Sequence, residues 1–361
     1  MIIKSMSLQN YRNYKTLRLD FDPNTNIFYG DNAQGKTNIL EAVYVSGTTK
    51  SHRSSKDQEM ICFKKDEAHI CTLIERKGLE HKIDMHLRKN RSKGIAIDGI
   101  PIKKASELFG IIHFVFFSPE DLSMIKNGPS ERRRFMDMEL CQLDKIYLNQ
   151  LSNYNKIVLQ RNRLLKEIMF RSDYREVLDV FNMQLVQYGV QVIKRRRYFT
   201  KEMNQIIGRI HDHLTGGREQ MILEYESNTD ENSFGNMLKE NLERDVKQKT
   251  TTTGQHRDDL SFTVNGIDIR KFGSQGQQRT AALSLKLSEI ELVKKITGDT
   301  PVLLLDDVLS ELDSNRQNYL LNSIQDVQTM ITCTGLDELI NNRFSVNKIY
   351  RVLDGKVTVE N

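Results

Sequence analysis

The segment Gly30-Asp31-Asn32-Ala33-Gln34-Gly35-Lys36-Thr37 constrains the fold of this chain more than any other. Two glycines separated by four residues and followed by Lys and Thr fit the template of a phosphate-binding loop. The apolar run Ile27–Tyr29 precedes the loop and a helix-like segment follows it. Glycines let the backbone approach phosphate oxygens, and the N-terminus of the next helix attracts an anion. The sequence therefore predicts a nucleoside triphosphate site; the competing interpretation is a glycine turn before an ordinary helix.

Each position of the loop has an expected role. Lys36 is expected to neutralise charge on the β- and γ-phosphates, and the Thr37 hydroxyl to hold Mg²⁺. The expected nucleotide-binding residues of this segment are Gly30, Asp31, Asn32, Ala33, Gln34, Gly35, Lys36, Thr37 and Asn38.

Composition narrows the class of protein. The chain has 361 residues, enough for two domains or one domain with an insertion. Charged residues make up 28% and no run of eighteen apolar residues occurs, which argues against a membrane-spanning helix. The N-terminus has no secretory pattern, and the four cysteines are widely spaced, as expected of free thiols in a reducing compartment. We therefore expect a cytoplasmic protein without a membrane partner.

The net charge of +5 is unevenly distributed. The stretch 126–212 holds 17 Lys and Arg against 10 Asp and Glu, so the rest of the chain is close to neutral. A basic region of this kind indicates a polyanionic partner such as nucleic acid.

Hydrophobic periodicity divides the chain into three parts. The first 120 residues have strand-like alternation, with a hairpin from Met1–Leu8 to Leu17–Phe21 and three antiparallel strands expected within 68–102. From about residue 127, apolar residues recur at helical spacing and predict two long antiparallel helices, followed by shorter helix and loop in 215–245. The last third returns to α/β character, with a hairpin at 260–269 and a helix from about Gln277 to Ile296.

The apolar run Val302–Asp307 ends in two carboxylates. This is the pattern of a buried strand that delivers an acidic residue to the Mg²⁺ of a nucleotide site. Asp306 is the expected metal-side residue and Asp307 the expected catalytic residue, together with Lys36. The plainer interpretation is a strand whose terminal acids cap a turn.

The segment Ser274-Gln275-Gly276-Gln277-Gln278-Arg279 resembles the signature motif of ATP-binding-cassette (ABC) proteins. The resemblance implies that Ser274, Gly276 and Gln277 contact a nucleotide held by a second protomer. Leu309-Ser310-Glu311-Leu312-Asp313 resembles the D-loop of the same superfamily.

Segments along essentially the whole chain resemble the RecF family of bacterial recombination-mediator ATPases. They are Leu8–Tyr14, Gly30–Asn38, Ser118–Leu122, Gly128–Asp137, Gly254–Leu260, Ser274–Arg279 and Leu304–Asp313.

This resemblance implies an α/β fold: an ABC-type P-loop ATPase head built from the N- and C-terminal parts, with an inserted α-helical arm. The expected domains are residues 1–125, with the P-loop and an antiparallel β lobe; 126–246, the arm; and 247–361, with the signature motif, acidic strand and D-loop.

It also implies a function. Proteins of this family form an ATP-dependent homodimer that clamps single-stranded and duplex DNA, gapped or at junctions, and hydrolyse ATP weakly, as a switch. They act with RecO and RecR in the RecFOR pathway, help to load RecA, and support replication-fork recovery and the SOS response. The implied cofactors are ATP and Mg²⁺.

Two positions depart from the related ATPases. Many of them carry Glu where this chain has Asp307, which fits slow turnover, and often His at the switch position where Thr334 stands. The glutamine-bearing loop is assigned only by position, to Phe117–Asp121.

Basic clusters are the candidate DNA contacts, with an ordinary solvated surface as the competing interpretation. The candidates are Lys50, Arg53, Arg132, Arg133, Arg195 and Arg196. The three arginines from Arg132 could instead serve the nucleotide or fix the arm, and for His256–Asp259 we favour a structural ion-pair network.

Two other functions compete with a DNA clamp. One is the ATPase subunit of a membrane transporter, against which the basic helical insertion argues. The other is an SMC-like structural or nuclease-associated ATPase, which would need a longer coiled coil and a hinge or zinc hook.

Overall fold

A computed structural model describes residues 1–53, 56–167, 174–335 and 346–360. The chain divides into two compact units. The first unit joins both ends of the chain, Met1–Asp121 and Leu285–Asn361, and the second is Leu122–Ser284.

The strands of the described residues are, in chain order, β1 (Ile2–Tyr11), β2 (Tyr14–Asp20), β3 (Thr25–Tyr29), β4 (Glu67–Arg76), β5 (Leu79–Arg88), β6 (Gly94–Ile97), β7 (Ile100–Pro101), β8 (Phe114–Phe117), β9 (Met221–Glu226), β10 (Asp259–Val264), β11 (Ile267–Asp268), β12 (Val302–Asp306), β13 (Thr329–Cys333), β14 (Lys348–Leu353) and β15 (Lys356–Glu360). The α-helices are α1 (Lys36–Thr48), α2 (Asp121–Lys126), α3 (Pro129–Leu143), α4 (Lys145–Glu167), α5 (Tyr174–Thr215), α6 (Phe234–Glu240), α7 (Leu242–Gln248), α8 (Ile269–Phe272), α9 (Gln275–Thr297) and α10 (Ser314–Ser323).

A mostly parallel sheet forms the centre of the first unit, in the order β15-β14-β3-β13-β12-β8. All its neighbours are parallel except the edge strand β15, which is antiparallel to β14. Each residue of β12 is buried, as the continuous apolar run predicts. The carboxyl ends of β3, β8, β12 and β13 meet at one edge of this sheet, which is where α/β folds bind ligands.

An antiparallel sheet in the order β2-β1-β4-β5-β6-β7 completes the first unit. Its alternating residues Ile70, Ile74, Ile83 and Met85 are fully buried in one hydrophobic cluster. The expected hairpin β1–β2 and the three antiparallel strands β4, β5 and β6 are confirmed by their pairing.

The second unit is largely helical, and α4 packs against α5. Arg161 contacts Asn182 and Tyr147 contacts Arg196, so the two helices are antiparallel, as predicted. The first predicted helix is interrupted, however, because Oδ1 of Asp144 accepts hydrogen bonds from the amides of Ile146 and Tyr147. Asp144 therefore ends α3 and caps α4.

The unpatterned stretch 215–245 contains α6 and α7 but also a strand that the sequence did not predict. In β9 the side chain of Ile222 is 40% exposed, so hydrophobicity does not alternate cleanly there. Strand β9 pairs with β10, and β10 with β11, in a three-stranded sheet.

The second unit accordingly ends at Ser284, within α9, whereas the sequence places the end of the arm at residue 246. Strands β10 and β11 lie in this second unit, where they form one sheet with β9. Among the helices of the described ranges, none combines the length and apolar character needed to cross a lipid bilayer.

Candidate nucleotide-binding site

The loop after β3 has a backbone that only glycine tolerates at its two fixed positions. Gly30 has φ +148° and Gly35 has φ +114°. A Cβ at Gly30 would lie 2.3 Å from the Val352 carbonyl oxygen, and one at Gly35 would lie 2.5 Å from the Asn13 side chain. The positive φ and the lack of room for a Cβ therefore both require glycine at these two positions, as expected of a loop that wraps around a phosphate.

Lys36 begins α1, and its side chain turns back into the loop. Its ammonium group donates hydrogen bonds to the carbonyl oxygens of Gly30 (2.6 Å) and Asp31 (3.0 Å), and the residue is 3% exposed. The positive charge lies inside the curve of the loop, where a phosphate would be neutralised.

Thr37 and Asp306 meet at the carboxyl edge of the parallel sheet. The Thr37 hydroxyl donates to Oδ1 of Asp306 at 2.9 Å, and the Thr332 hydroxyl donates to the same oxygen at 2.7 Å. Burial raises the pKa of Asp306 against these two hydrogen bonds, which lower it. A buried carboxylate that is costly to ionise and has a hydroxyl oxygen beside it is suited to a cation.

The chemistry of Thr37 and Asp306 matches the ligands that Mg²⁺ prefers when it binds together with a nucleotide. Mg²⁺ usually takes one or two carboxylates, with water and substrate phosphates as its other ligands. Thr37 and Asp306 provide one hydroxyl and one carboxylate at the end of the phosphate loop. These residues fit the expected pair of cofactors.

Asp307 lines a cavity of about 410 Å³. Its φ of +51° is unusual for a residue other than glycine, and its amide donates to the Thr332 hydroxyl at 2.9 Å. The cavity is lined by Asn32, Pro119, Asp307, Leu309, Ser310, Glu311, Thr332, Cys333, Thr334 and Gly335. The D-loop, the acidic strand and the predicted switch and 117–121 segments thus share one cavity of the first unit.

The turn between β1 and β2 supports the phosphate loop from outside. The Tyr14 hydroxyl donates to the Gly35 carbonyl at 3.1 Å, and the Asn13 amide donates to the Gln34 carbonyl at 3.1 Å. Glu41 on α1 accepts a hydrogen bond from Nε of Arg12 at 2.8 Å and another from the Tyr11 hydroxyl at 3.0 Å. The Arg12 hydrogen bond helps to hold the pKa of buried Glu41 below its ordinary value although burial opposes ionisation.

The predicted signature residues belong to the second unit. Ser274 precedes α9 and its hydroxyl accepts from the Gln277 amide N–H at 3.2 Å, while Oε1 of Gln277 accepts from the Ser274 amide at 3.0 Å. This reciprocal pair is a capping box. Gly276 is exposed, and the nearest heavy atom to a Cβ there would be Ser274 Oγ at 3.8 Å. Packing among the described residues does not require a glycine here, whereas close approach of a ligand would.

Three of the DNA candidates lie on the surface. Lys50 and Arg53 are exposed, and Arg195 is 45% exposed beside Asp144 at 3.2 Å. Arg133 is half-buried and donates to the Asp258 carbonyl at 2.6 Å. Burial and the nearby charge of Arg196 lower the pKa of Arg133.

The prediction that Arg132 and Arg196 contact DNA is wrong, because both side chains are buried. Arg132 is 1% exposed and forms two hydrogen bonds with Asp259, at 2.7 and 2.8 Å. Arg196 is 1% exposed and pairs with Asp137 and Asp258, each at 2.7 Å. Burial opposes the charge of Arg196, but these partners keep its pKa above the ordinary value.

The favoured structural role of the segment from His256 to Asp259 agrees with its contacts. Asp258 pairs with Arg196, and Nδ1 of His256 lies 2.9 Å from the Tyr154 hydroxyl. The segment ties α3, α4 and α5 together within the second unit.

Comparison with known proteins gives a consistent result. The family model described as "RecF/RecN/SMC N terminal domain" matches residues 2–358. A DNA replication and repair protein RecF from Agathobacter rectalis is 64% identical over 359 residues, which cover 99% of each chain. The chain belongs to the RecF family. A RecF from Clostridium perfringens is 44% identical over 362 residues, again 99% of both chains.

Solved RecF structures extend the comparison to the fold. The recombination mediator protein RecF-ATP of the RecFOR pathway has a TM-score of 0.93 and 34% identity, covering 100% of this chain and 98% of that one. An Smc head bound to a ScpA domain has a TM-score of 0.58 at 16% identity, covering 100% and 97%, which supports the fold alone. The RecF resemblance and the fold class are confirmed, and a transporter subunit is not favoured.

Sequence reasoning missed several residues of the site. Thr332 contacts both acidic residues, but in the sequence it is an ordinary threonine within an apolar strand, so no local pattern marks it. Glu41 was missed because its partners Tyr11 and Arg12 lie 30 and 29 positions away, at the end of β1 and in the turn after it. The polar side chains of the turn between β1 and β2 were the sequence signal that could have indicated this contact, because a cluster of them between two strands is not needed to form the turn itself.

Proposed function

We propose that this RecF-family protein is an ATP-dependent clamp on DNA in recombinational repair and replication-gap recovery. The contact between Thr37 and Asp306 carries the proposal, because it brings together a hydroxyl and a carboxylate that would suit Mg²⁺ with ATP, in a chain that matches RecF proteins along its length. RecF relatives are described as DNA replication and repair proteins, and one solved RecF is described as a recombination mediator with ATP.

Two copies of the chain are the proposed clamp. The capped helix N-terminus at Ser274 and the open space at Gly276 suit a γ-phosphate presented by a second protomer. Lys36 binds the phosphates of the protomer's own nucleotide, and Thr37 with Asp306 holds the metal. Asp307 orients the attacking water, and its short side chain favours slow hydrolysis, so the protein acts as a switch.

The proposed partners are DNA, RecO and RecR, with RecA acted on indirectly, in the cytoplasm. Lys50, Arg53 and Arg195 are the proposed surface contacts to DNA phosphates, together with the half-buried Arg133. The proposed domains are the ATPase head from both ends of the chain and the helical arm between them.

Fluorescence anisotropy with labelled gapped DNA tests this function. Affinity should rise with ATP and Mg²⁺, and should fall steeply when salt rises from about 50 to about 200 mM. Lys36→Ala should remove the effect of ATP but not the weak salt-sensitive binding. Failure of the wild-type protein to bind DNA with ATP at low salt would contradict the proposal.

A further inference from the structure

The side chain of Gln277 links the N-terminus of the signature helix α9 to the polypeptide before β9. The amide group of Gln277 accepts from the Ser274 amide through Oε1 (3.0 Å) and donates from Nε2 to Oε1 of Glu219 (2.9 Å). Both ends of this amide are therefore used, which fixes its orientation. Glu219 thus accepts a hydrogen bond from the same side chain that caps the helix.

Glu219 connects that cap to buried groups of the second unit. Its other oxygen lies 3.3 Å from Nε2 of His211 on α5, and Nδ1 of His211 lies 2.9 Å from the hydroxyl of Ser284, farther along α9. His211 and Ser284 are fully buried. Contacts at two points, one at the N-terminus and one two to three turns along, restrain the direction of the helix axis.

The backbone that carries Glu219 is itself restrained. The Gln220 amide donates to Oδ1 of Asn265 at 2.8 Å, and the Asn265 amide donates to the Gln220 carbonyl at 2.9 Å. Asn265 lies in the turn between β10 and β11, next to the strand that pairs with β9. Glu219 is therefore held by a sheet, so it provides a fixed point for Gln277.

We propose that Glu219 is a positioning residue for the nucleotide site that two protomers form together. It holds Gln277, and through it the helix N-terminus, in the orientation in which Ser274 and Gly276 meet the phosphate of the other protomer's nucleotide. This inference rests on the proposed function, since it requires an ATP-dependent dimer. It assigns to Glu219 a role in trans, without contact to the nucleotide of its own protomer.

Removal of the carboxylate tests the role. Glu219→Ala leaves Nε2 of Gln277 without its acceptor, so the protein concentration for half-dimerisation with ATP should rise about tenfold, the size expected for the loss of one hydrogen bond to a charged group. ATP binding by the monomer should stay unchanged, because the phosphate loop is intact. Glu219→Gln keeps an acceptor oxygen for Gln277 and should retain most of the dimerisation. Glu240→Ala, which removes an exposed glutamate of the same unit, is the matched control.

A mixing experiment distinguishes action in trans from general damage. Lys36→Ala disables the phosphate loop but keeps the signature helix, and Glu219→Ala does the reverse. Each variant alone should hydrolyse ATP poorly, whereas a mixture should recover activity, because the mixed dimer has one site built from two intact halves. A structural defect in the Glu219→Ala protein would give no recovery.

The outcomes separate the inference from the function on which it rests. If wild-type protein dimerises with ATP while Glu219→Ala dimerises equally well, or Glu219→Gln fails as badly as Glu219→Ala, or the mixture recovers nothing, Glu219 is not a positioning residue. If wild-type protein does not dimerise with ATP at all, the proposed clamp fails as well.

Discussion

The Thr37 hydroxyl donates a 2.9 Å hydrogen bond to Oδ1 of Asp306, although 269 positions separate the two residues in the chain. Parallel pairing brings them together, since β13 lies between β3 and β12 and pairs with both. Thr332, near the end of β13, completes the contact. The two ends of the chain must therefore fold together before either can hold a metal-bound nucleotide.

Asp306→Asn should raise the melting temperature of the nucleotide-free protein at neutral pH. Burial raises the pKa of Asp306, so its ionised form costs stability at pH values above that pKa. The advantage of the variant should shrink as pH falls and the wild-type carboxyl group becomes protonated. Thermal unfolding as a function of pH checks this. An Asp306→Asn variant that is less stable than wild type at neutral pH would contradict the expectation that ionised Asp306 destabilises the nucleotide-free protein.

The same substitution should remove most of the stabilisation by ATP with Mg²⁺. Wild-type protein should gain about 2.7 kcal/mol when free ATP is 100 times its Kd. Asn at position 306 keeps an oxygen for the Thr37 and Thr332 hydroxyls but loses the negative charge that Mg²⁺ requires. ATP titration with and without EDTA measures the gain, and an equal gain in wild type and variant would rule out Asp306 as the metal-side residue.

Gly30→Ala should destabilise the first unit more than an alanine at an open glycine. Gly78 has a positive φ of +78°, and a Cβ there would meet no described heavy atom within 4 Å. Gly78→Ala therefore measures the backbone cost alone, about 1–3 kcal/mol. At Gly30 the Cβ would also lie 2.3 Å from the Val352 carbonyl, so the loss should be larger and ATP binding should weaken. Similar losses in denaturant unfolding would show that the loop relaxes freely.

Lys50→Ala and Arg53→Ala should weaken DNA binding uniformly across sequences. Each lost phosphate contact should reduce the slope of log K against log salt by about 0.9. Arg132→Met is the contrasting variant, because it removes two charged hydrogen bonds to Asp259 inside the second unit and should cost about 1–3 kcal/mol of stability without changing the salt slope. An unchanged salt slope in the two surface variants would place the DNA elsewhere.

Lowering the pH should destabilise the second unit through His256. Burial lowers the pKa of His256 to about 4, below the ordinary 6.5. The unfolded chain therefore binds the proton first, and stability present above pH 6.5 is lost as pH falls towards 4, by up to about 3 kcal/mol. His256→Gln should flatten this part of the pH–stability curve. An unchanged slope between pH 6.5 and 4 in that variant would assign the effect to other groups.

Local pattern was sufficient for the phosphate loop, the acidic strand and the antiparallel lobe. Each depends on neighbours in sequence: glycine spacing in Gly30–Thr37, a buried apolar run before Asp306, and alternation in β4 and β5. Because these patterns involve only neighbouring residues, they predict the local structure without knowledge of tertiary contacts.

Features set by distant contacts could not be predicted in this way. In the sequence Arg132 and Arg196 belong to basic clusters typical of a surface, but both side chains are buried against carboxylates far along the chain, Asp259 and Asp258. Strand β9 forms by pairing with β10, and the residues of β9 alone do not predict a strand. Burial of a charge is decided by the partner, and the partner is visible only in the fold.

Oligomeric state with and without ATP tests the central claim most directly. In light scattering after size-exclusion chromatography, wild-type protein should be monomeric without nucleotide and dimeric with ATP and Mg²⁺. Lys36→Ala and Ser274→Arg should each remain monomeric, the first for lack of nucleotide and the second for lack of room at the signature helix. A wild-type protein that stays monomeric with saturating ATP and Mg²⁺, or a Ser274→Arg variant that dimerises as readily as wild type, would contradict the account.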